Sequence, residues 1–309
     1  MEDRSFSYNV KAEIISRINS RQKADACLLG LLCCCNVLSD REILFLTENP
    51  GVRDFFCKNV GRILEDGEAV TVTGSERGSG VTLYSLTVED KAQRIFLLDY
   101  FGIDESRRLT EEYLPREKFY SQLVAGIFLA CGSVNDPNKK YHMEFVMPTL
   151  ELCNDLGLLL IENYRIVPKH VERKAAQIMY IKESENIIDM LTLMGAQMSA
   201  IELMNVKIMK DVRNKINRAM NCDNANIDKA LRAAERQIED IELIERTMGL
   251  SALPDGLREI AEIRAENPDL NLKQLGASLD PPISRSGANH RLQKLAEIAE
   301  RIRQERSQR

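Results

Sequence analysis

Apolar residues along this chain switch between helical and strand-like spacing, and the order of the switches is repeated. A continuous apolar stretch from Leu28 to Cys35 predicts a buried helix. Strands follow over Glu42 to Leu46 and Val70 to Thr73 with a helix from Val52 to Leu64 between them, then a strand from Val81 to Val88 and a helix from Gln93 to Tyr100. The series restarts after Pro115 with helix Phe119 to Val134, strand His142 to Met147, helix Leu150 to Tyr164, strand Ile178 to Ile181 and helix Asn186 to Met194. Gly30 and Gly126 mark equivalent points 96 residues apart. Repetition at that distance predicts two copies of one α+β unit packed as a pseudo-dimer, over about residues 1–112 and 113–205. Small residues at Gly30, Ala125, Gly126 and Ala130 suit a seam in which two helix backbones come close.

Beyond residue 205 the pattern is helical only. A basic linker helix is expected over 206–224, followed by a helical domain over 225–309. Asn226 is read as the cap of a helix with Ile227, Leu231, Ala234, Ile238 and Ile241 on one face, ended by Gly249 and Pro254. Leu257, Ile260 and Ile263 mark a second helix that stops at Asn267-Pro268. A short third one carries Leu272, Leu275 and Leu279 and is ended by Pro281-Pro282. The last begins near Ser284 or Ser286 and buries Leu292, Leu295, Ala299 and Ile302. A short helix, a tight connection and a longer basic helix spell a helix-turn-helix, whose second element enters the DNA major groove. On its first turns Ser284, Arg285, Ser286, Asn289, His290, Arg291 and Lys294 are candidate DNA contacts, joined by Lys273 and Gln274 of the preceding helix.

Charge sharpens that reading. The net value of −5 over 309 residues argues at first against a nucleic-acid partner, but Pro281 to Arg309 holds seven Lys/Arg against Glu297, Glu300 and Glu305. Lys207, Lys210, Arg213, Lys215 and Arg218 form a second basic stretch interrupted only by Asp211, and are candidates for contact with the DNA backbone. No segment approaches the ~20 apolar residues of a membrane span, and a secretory start is not evident, so a cytoplasmic, nucleoid-associated protein is expected. The eight cysteines lack the spacing of a disulfide framework or paired zinc site and read as free thiols. Cys33, Cys34 and Cys35 point ~100° apart on a helix and read as core packing rather than a metal cluster.

Val124-Ala125-Gly126-Ile127-Phe128-Leu129-Ala130-Cys131-Gly132 resembles the LAGLIDADG helix of homing endonucleases, with a weaker copy in Leu28-Leu29-Gly30-Leu31-Leu32-Cys33-Cys34-Cys35-Asn36. Cys131 and Cys35 then stand where those nucleases carry metal-binding carboxylates, and thiols suit neither Mg²⁺ nor its work on water. Asp136, in Ser133-Val134-Asn135-Asp136-Pro137, reads as a turn residue, and His142 as a strand residue. His170 reads either as surface or as facing a phosphate.

Lys210-Asp211-Val212-Arg213-Asn214-Lys215-Ile216-Asn217-Arg218, Gln237-Ile238-Glu239-Asp240-Ile241, Gly132-Ser133-Val134-Asn135-Asp136-Pro137 and Pro281-Pro282-Ile283-Ser284-Arg285-Ser286-Gly287-Ala288-Asn289-His290-Arg291-Leu292 are similar to motifs of the WhiA family, in the same order. The resemblance implies a LAGLIDADG-like domain without nuclease activity, followed by an all-α helix-turn-helix domain. It also implies a DNA-binding regulator of sporulation in some lineages, and of cell division and chromosome segregation in others. The expectation is therefore a non-enzymatic, sequence-selective protein with double-stranded DNA and another regulatory protein as candidate partners, and with no catalytic, cofactor or metal residue assigned. Its oligomeric state is not given by the sequence. The competing readings are a metal-dependent LAGLIDADG endonuclease and a protein-interaction adaptor.

Overall fold

The computed structural model describes residues 5–76, 78, 80–109, 114–174 and 176–307. The boundary expected between the repeats near residues 112 and 113 lies outside them, as does Arg309. The chain divides into two compact units, 1–211 and 212–309.

In the first unit, helix α1 (Phe6–Arg17) precedes the first repeat. That repeat runs α2 (Arg21–Cys33), β1 (Val37–Leu38), β2 (Ile43–Thr47), α3 (Pro50–Leu64), β3 (Thr71–Glu76), β4 (Thr82–Thr87) and α4 (Lys91–Phe101). The second runs α5 (Tyr120–Cys131), β5 (Gly132–Val134), β6 (Met143–Met147), α6 (Leu150–Tyr164), β7 (Lys169–Arg173), β8 (Ala176–Ile181) and α7 (Ser184–Met194). Each repeat makes one antiparallel four-stranded sheet, ordered β1-β2-β4-β3 and β5-β6-β8-β7, so the two copies share a topology as well as a sequence of elements. Local chemistry repeats too. Asn49 and Thr149 accept from the N–H groups of Val52 and Leu152 to start α3 and α6, and Glu65 and Arg165 end them in the left-handed region.

Helices α2 and α5 are buried along most of their length and pack against each other at the centre of one continuous core. A Cβ on Gly126 would stand 1.9 Å from the Cys27 carbonyl oxygen, and one on Gly30 would stand 2.2 Å from that of Leu123. Only glycine permits this approach, and it places the expected seam on these two residues.

The second unit contains the remainder of α8 (Gln197–Met248), then α9 (Asp255–Glu266), α10 (Leu272–Ala277) and α11 (Arg285–Ser307). Its core joins Ile241, Ile244, Ile260, Leu275, Leu292 and Leu295, among others.

Some expectations change. Asn226 caps nothing: it lies inside α8, its amide nitrogen 3.7 Å from Cys222 Sγ, because no Gly or Pro between Gln197 and Met248 interrupts the helix. A separate linker helix over 206–224 is accordingly absent. Helix Phe119 to Val134 starts at Tyr120 and stops at Cys131, where a Cβ on Gly132 would collide with the Phe128 ring, and Gly132–Val134 pairs with β6 instead. Strand β7 carries no apolar alternation that could have revealed it, since all five residues are exposed. α1 has such a signal in Phe6, Val10 and Ile14, four residues apart and buried.

Candidate nucleic-acid interface

The geometry of the second unit begins with caps. Asn271 Oδ1 accepts from the N–H groups of Lys273 and Gln274, and Gln274 Oε1 accepts from the Asn271 N–H at 3.1 Å, a closed capping box that starts the short helix α10. Gly276 lets the returning chain pass: its carbonyl accepts from Ile283 N at 2.9 Å, and a Cβ there would stand 2.5 Å from Ile283 O. Ser284 Oγ then accepts from Gly287 N at 3.2 Å and starts α11. The loop between α9 and α10 is held by Arg264, almost wholly buried, whose guanidinium donates to the carbonyls of Pro268 and Leu270.

Along α11, Ala288, Leu292, Leu295, Ala299 and Ile302 face the core at helical spacing. That fixes the other side: Arg285, Ser286, His290 and Lys294 are exposed, and Asn289 is half-buried at the edge of a groove that Arg285, Lys273, Leu272, Ile227 and Leu231 also line. Lys273 and Gln274 are exposed on the first turn of α10. Three candidates are partly committed elsewhere. Arg291 turns inward, donating to Gly256 O at 3.1 Å with Glu259 at 4.0 Å, while Ser284 and Gln274 hold caps. Sequence spacing placed Arg291 near the reading face; the acidic and carbonyl groups of α9 draw it back.

The basic stretch also divides. In the first unit Lys207 pairs with Glu185, whose carboxyl is held down to about 2 mainly by that contact. Lys210 Nζ donates to the carbonyls of Pro137 and Lys139 at 2.6 and 2.7 Å and lies 4.6 Å from the Tyr141 ring centroid. Lys207 thus ties α8 to the first turn of α7, and Lys210 ties it to the loop that follows β5. Arg213, Lys215 and Arg218, in the second unit, are exposed. Asp136 makes the expected turn, its Oδ1 accepting from Asn138 N at 2.8 Å. His142, expected in the strand, stands just before β6 and pairs with Glu144 at 3.1 Å, and His170 meets Gln177 at 2.6 Å on the surface.

At the ends of α2 and α5, where the LAGLIDADG resemblance would place metal-binding carboxylates, the structure gathers sulfur. Cys131 Sγ lies 3.6 Å from Cys34 Sγ and 3.7 Å from Met147 Sδ, and donates to Ile127 O at 3.2 Å. Contact with Cys131, followed by burial, holds the Cys34 thiol well above its ordinary range, and burial pushes Cys33 up to about 12. Two cations lie nearby: Lys11, donating to Leu129 O at 3.1 Å and lowered to about 8 by burial, and Arg107, buried and donating to Cys35 O at 2.5 Å. Among the described residues no group of three or more His, Cys, Asp or Glu side chains converges as ion ligands would. Neutral thiols and a thioether do not fit Mg²⁺, which takes carboxylate and water oxygens. None of the helices described is long and apolar enough to cross a membrane.

Comparison with known proteins agrees with this division. Residues 120–213 match the family model described as the WhiA LAGLIDADG-like domain, and residues 216–299 match the WhiA C-terminal HTH domain. A protein named "Probable cell division protein WhiA" from Clostridium perfringens is 39% identical, the alignment covering 97% of this chain and 98% of that one. The protein of the same name from Clostridium acetobutylicum is 36% identical over 97% and 99%. In fold, the crystal structure of full-length DUF199/WhiA from Thermatoga maritima covers 96% of this chain and 99% of its own, with a TM-score of 0.57 at 24% identity. Identity at this level along nearly the whole chain establishes that the protein belongs to the WhiA family.

Proposed function

We propose that the protein is a non-catalytic, sequence-selective DNA-binding regulator that acts in cell division, chromosome segregation or sporulation. One observation carries this reading: the first turns of α11 present Arg285, Ser286, Asn289, His290 and Lys294 on one side of a well-supported helix, and no carboxylate follows until Glu297. Arg and Asn are the side chains that form bidentate contacts with guanine and adenine edges, each worth about 1–3 kcal/mol of discrimination. Lys273 at the start of α10 and Lys215 and Arg218 on α8 add cations suited to phosphate. The names of the clostridial relatives favour a role in cell division. Regulation from the cytoplasm, at the nucleoid, is the setting this reading requires.

The same reading makes the LAGLIDADG-like unit a scaffold without cleavage chemistry. Sulfur at the ends of its central helices is a poor ligand for the divalent ion that such cleavage needs beside a scissile phosphate. A second regulatory protein is the partner left for its surface.

Genome-wide mapping of bound fragments in the native host, followed by fluorescence anisotropy on the recovered sites, tests the proposal. Arg285→Ala and Asn289→Ala each lower affinity for the cognate site about 5- to 150-fold while leaving weak binding to random duplex nearly unchanged, the signature of base contact. Affinity falls linearly on logarithmic axes with rising salt. Indifference of binding to both substitutions favours the adaptor reading, and nicked plasmid after incubation with Mg²⁺ or Mn²⁺ overturns the non-catalytic one.

A further inference from the structure

Two thiols from different repeats meet where α2 and α5 end. Cys34 is the C-cap of α2 and Cys131 the last residue of α5, 97 positions apart in the chain, yet their Sγ atoms are 3.6 Å apart. A disulfide bond is about 2.05 Å long, so these sulfurs are unbonded but need to close only roughly 1.5 Å. Helix ends fray and adjust more readily than helix interiors, and both residues sit at such ends. Among the eight cysteines the surroundings favour this pair. Cys35, the neighbour of Cys34, turns its Sγ to Leu31 O at 3.7 Å, and exposed Cys222 has Asn226 beside it. Met147 Sδ, 3.7 Å from Cys131, is a thioether and cannot cross-link.

The two thiols differ in the way that stepwise oxidation requires. Cys131 is partly exposed, so a small oxidant can reach it. Lys11 is close enough to interact with it electrostatically, and a cation beside a cysteine steadies the negative charge of an attacking sulfur. Cys34 is buried, and contact with Cys131, followed by that burial, keeps it a neutral thiol. An accessible cysteine next to a second that can resolve it is the arrangement of peroxide-responsive thiols.

We propose that Cys131 and Cys34 form a reversible disulfide when the protein meets a hydroperoxide, stapling the two repeats together at the ends of their central helices. In the first step the Cys131 sulfur attacks a peroxide oxygen, the O–O bond breaks, and the thiol proton leaves with the released oxygen as water, giving a sulfenic acid. In the second the Cys34 sulfur attacks the Cys131 sulfur, the S–OH bond breaks, and its hydroxide leaves with the Cys34 proton as a second water. Two thiols thus lose two electrons and two protons, and the peroxide is reduced to two waters. The link closes a long loop across the α2 and α5 seam, which makes the first unit harder to unfold. The inference does not depend on DNA binding.

The test treats the reduced full chain with near-stoichiometric hydrogen peroxide, blocks remaining thiols with iodoacetamide, and maps the digest by mass spectrometry. The peptide carrying Cys34 is expected joined to the peptide carrying Cys131 within one chain, and dithiothreitol separates them. Fragmentation of the linked peptides distinguishes Cys34 from Cys33 and Cys35, so the native chain decides the pairing even where a variant folds poorly. With folding checked by circular dichroism, Cys34→Ala or Cys131→Ala lowers the yield of link at least about tenfold, while Cys35→Ala and Cys153→Ala leave it within about twofold. On a Cys222→Ser background the linked chain has a higher urea midpoint than the reduced one and returns to it with dithiothreitol. Cys131 passing to its sulfinic acid without a link overturns the proposal. So does a link from Cys131 to Cys33, Cys35 or Cys153, a link that survives Cys34→Ala, or a linked chain no harder to unfold.

Discussion

At the scale of single residues, two positions in the first unit show how packing converts chemistry into constraint. Gly126 and Gly30 carry the approach of α2 and α5, and no side-chain movement can relieve a methyl group directed at a backbone carbonyl. Gly126→Ala is expected to separate the helices and lower stability by at least about 1–3 kcal/mol, read as a lower urea midpoint of the first unit. Lys11 is the half-buried counterpart, with its ammonium against the Leu129 carbonyl. Its folded value of about 8 lies below the ordinary 10.5, so between these values the unfolded chain binds more protons than the folded one. Stability therefore rises as pH increases through that window, and the cost of burying the ammonium is fully present below it. Thermal midpoints of the native chain and Lys11→Met should accordingly diverge in favour of the native chain between about pH 8 and pH 10.5. The glycine seam was legible in the sequence, as small residues at matching points of the two repeats, whereas nothing adjacent to Lys11 in the chain shows that it meets Leu129 O.

Elements were legible where one face is buried and hidden where none is. α3, α6, β2 and β6 declare themselves through apolar periodicity bounded by caps or turns, whereas β7 is exposed throughout and gains its hydrogen bonds from β8 rather than from its own pattern. Asn226 misled because Asn caps helices by accepting an N–H, yet it is tolerated within one where the flanking residues keep the ladder intact. Local signals that do agree with the fold are testable. Asn271→Ala removes both side-chain bonds at the start of α10 and is expected to cost the second unit about 0.5–2 kcal/mol, with faster amide exchange at Lys273 and Gln274. Gln274→Ala opens only the returning half of the capping box and should cost less. The helix-turn-helix was readable in outline from its leucines and prolines. Gly276 and Arg264, which shape its connections, were not singled out by spacing, because their partners are carbonyls of neighbouring turns.

At the scale of the whole molecule, the two units have separate cores: none of the residues gathered around Ile244 and Leu295 belongs to the cluster around Phe45 and Phe128. A fragment spanning 212–309 should therefore fold alone and melt cooperatively by circular dichroism, with a midpoint close to that of the same unit in the full chain. A non-cooperative melt would show that its core needs the first unit. The sequence by itself determined the repeat, the paired glycines, the replacement of acids by cysteines and the cationic start of α11, since each is a matter of residue type at a fixed spacing. Only the tertiary structure decided that Cys131 meets Cys34 rather than Cys35, that Lys207 and Lys210 are held by Glu185 and by loop carbonyls, and that Arg291 turns toward Gly256 and Glu259. The physical reason is the same in each case. Residue type and periodicity set which face of an element a side chain occupies, but which partner it meets there depends on groups tens of residues away in the chain, brought into reach by packing.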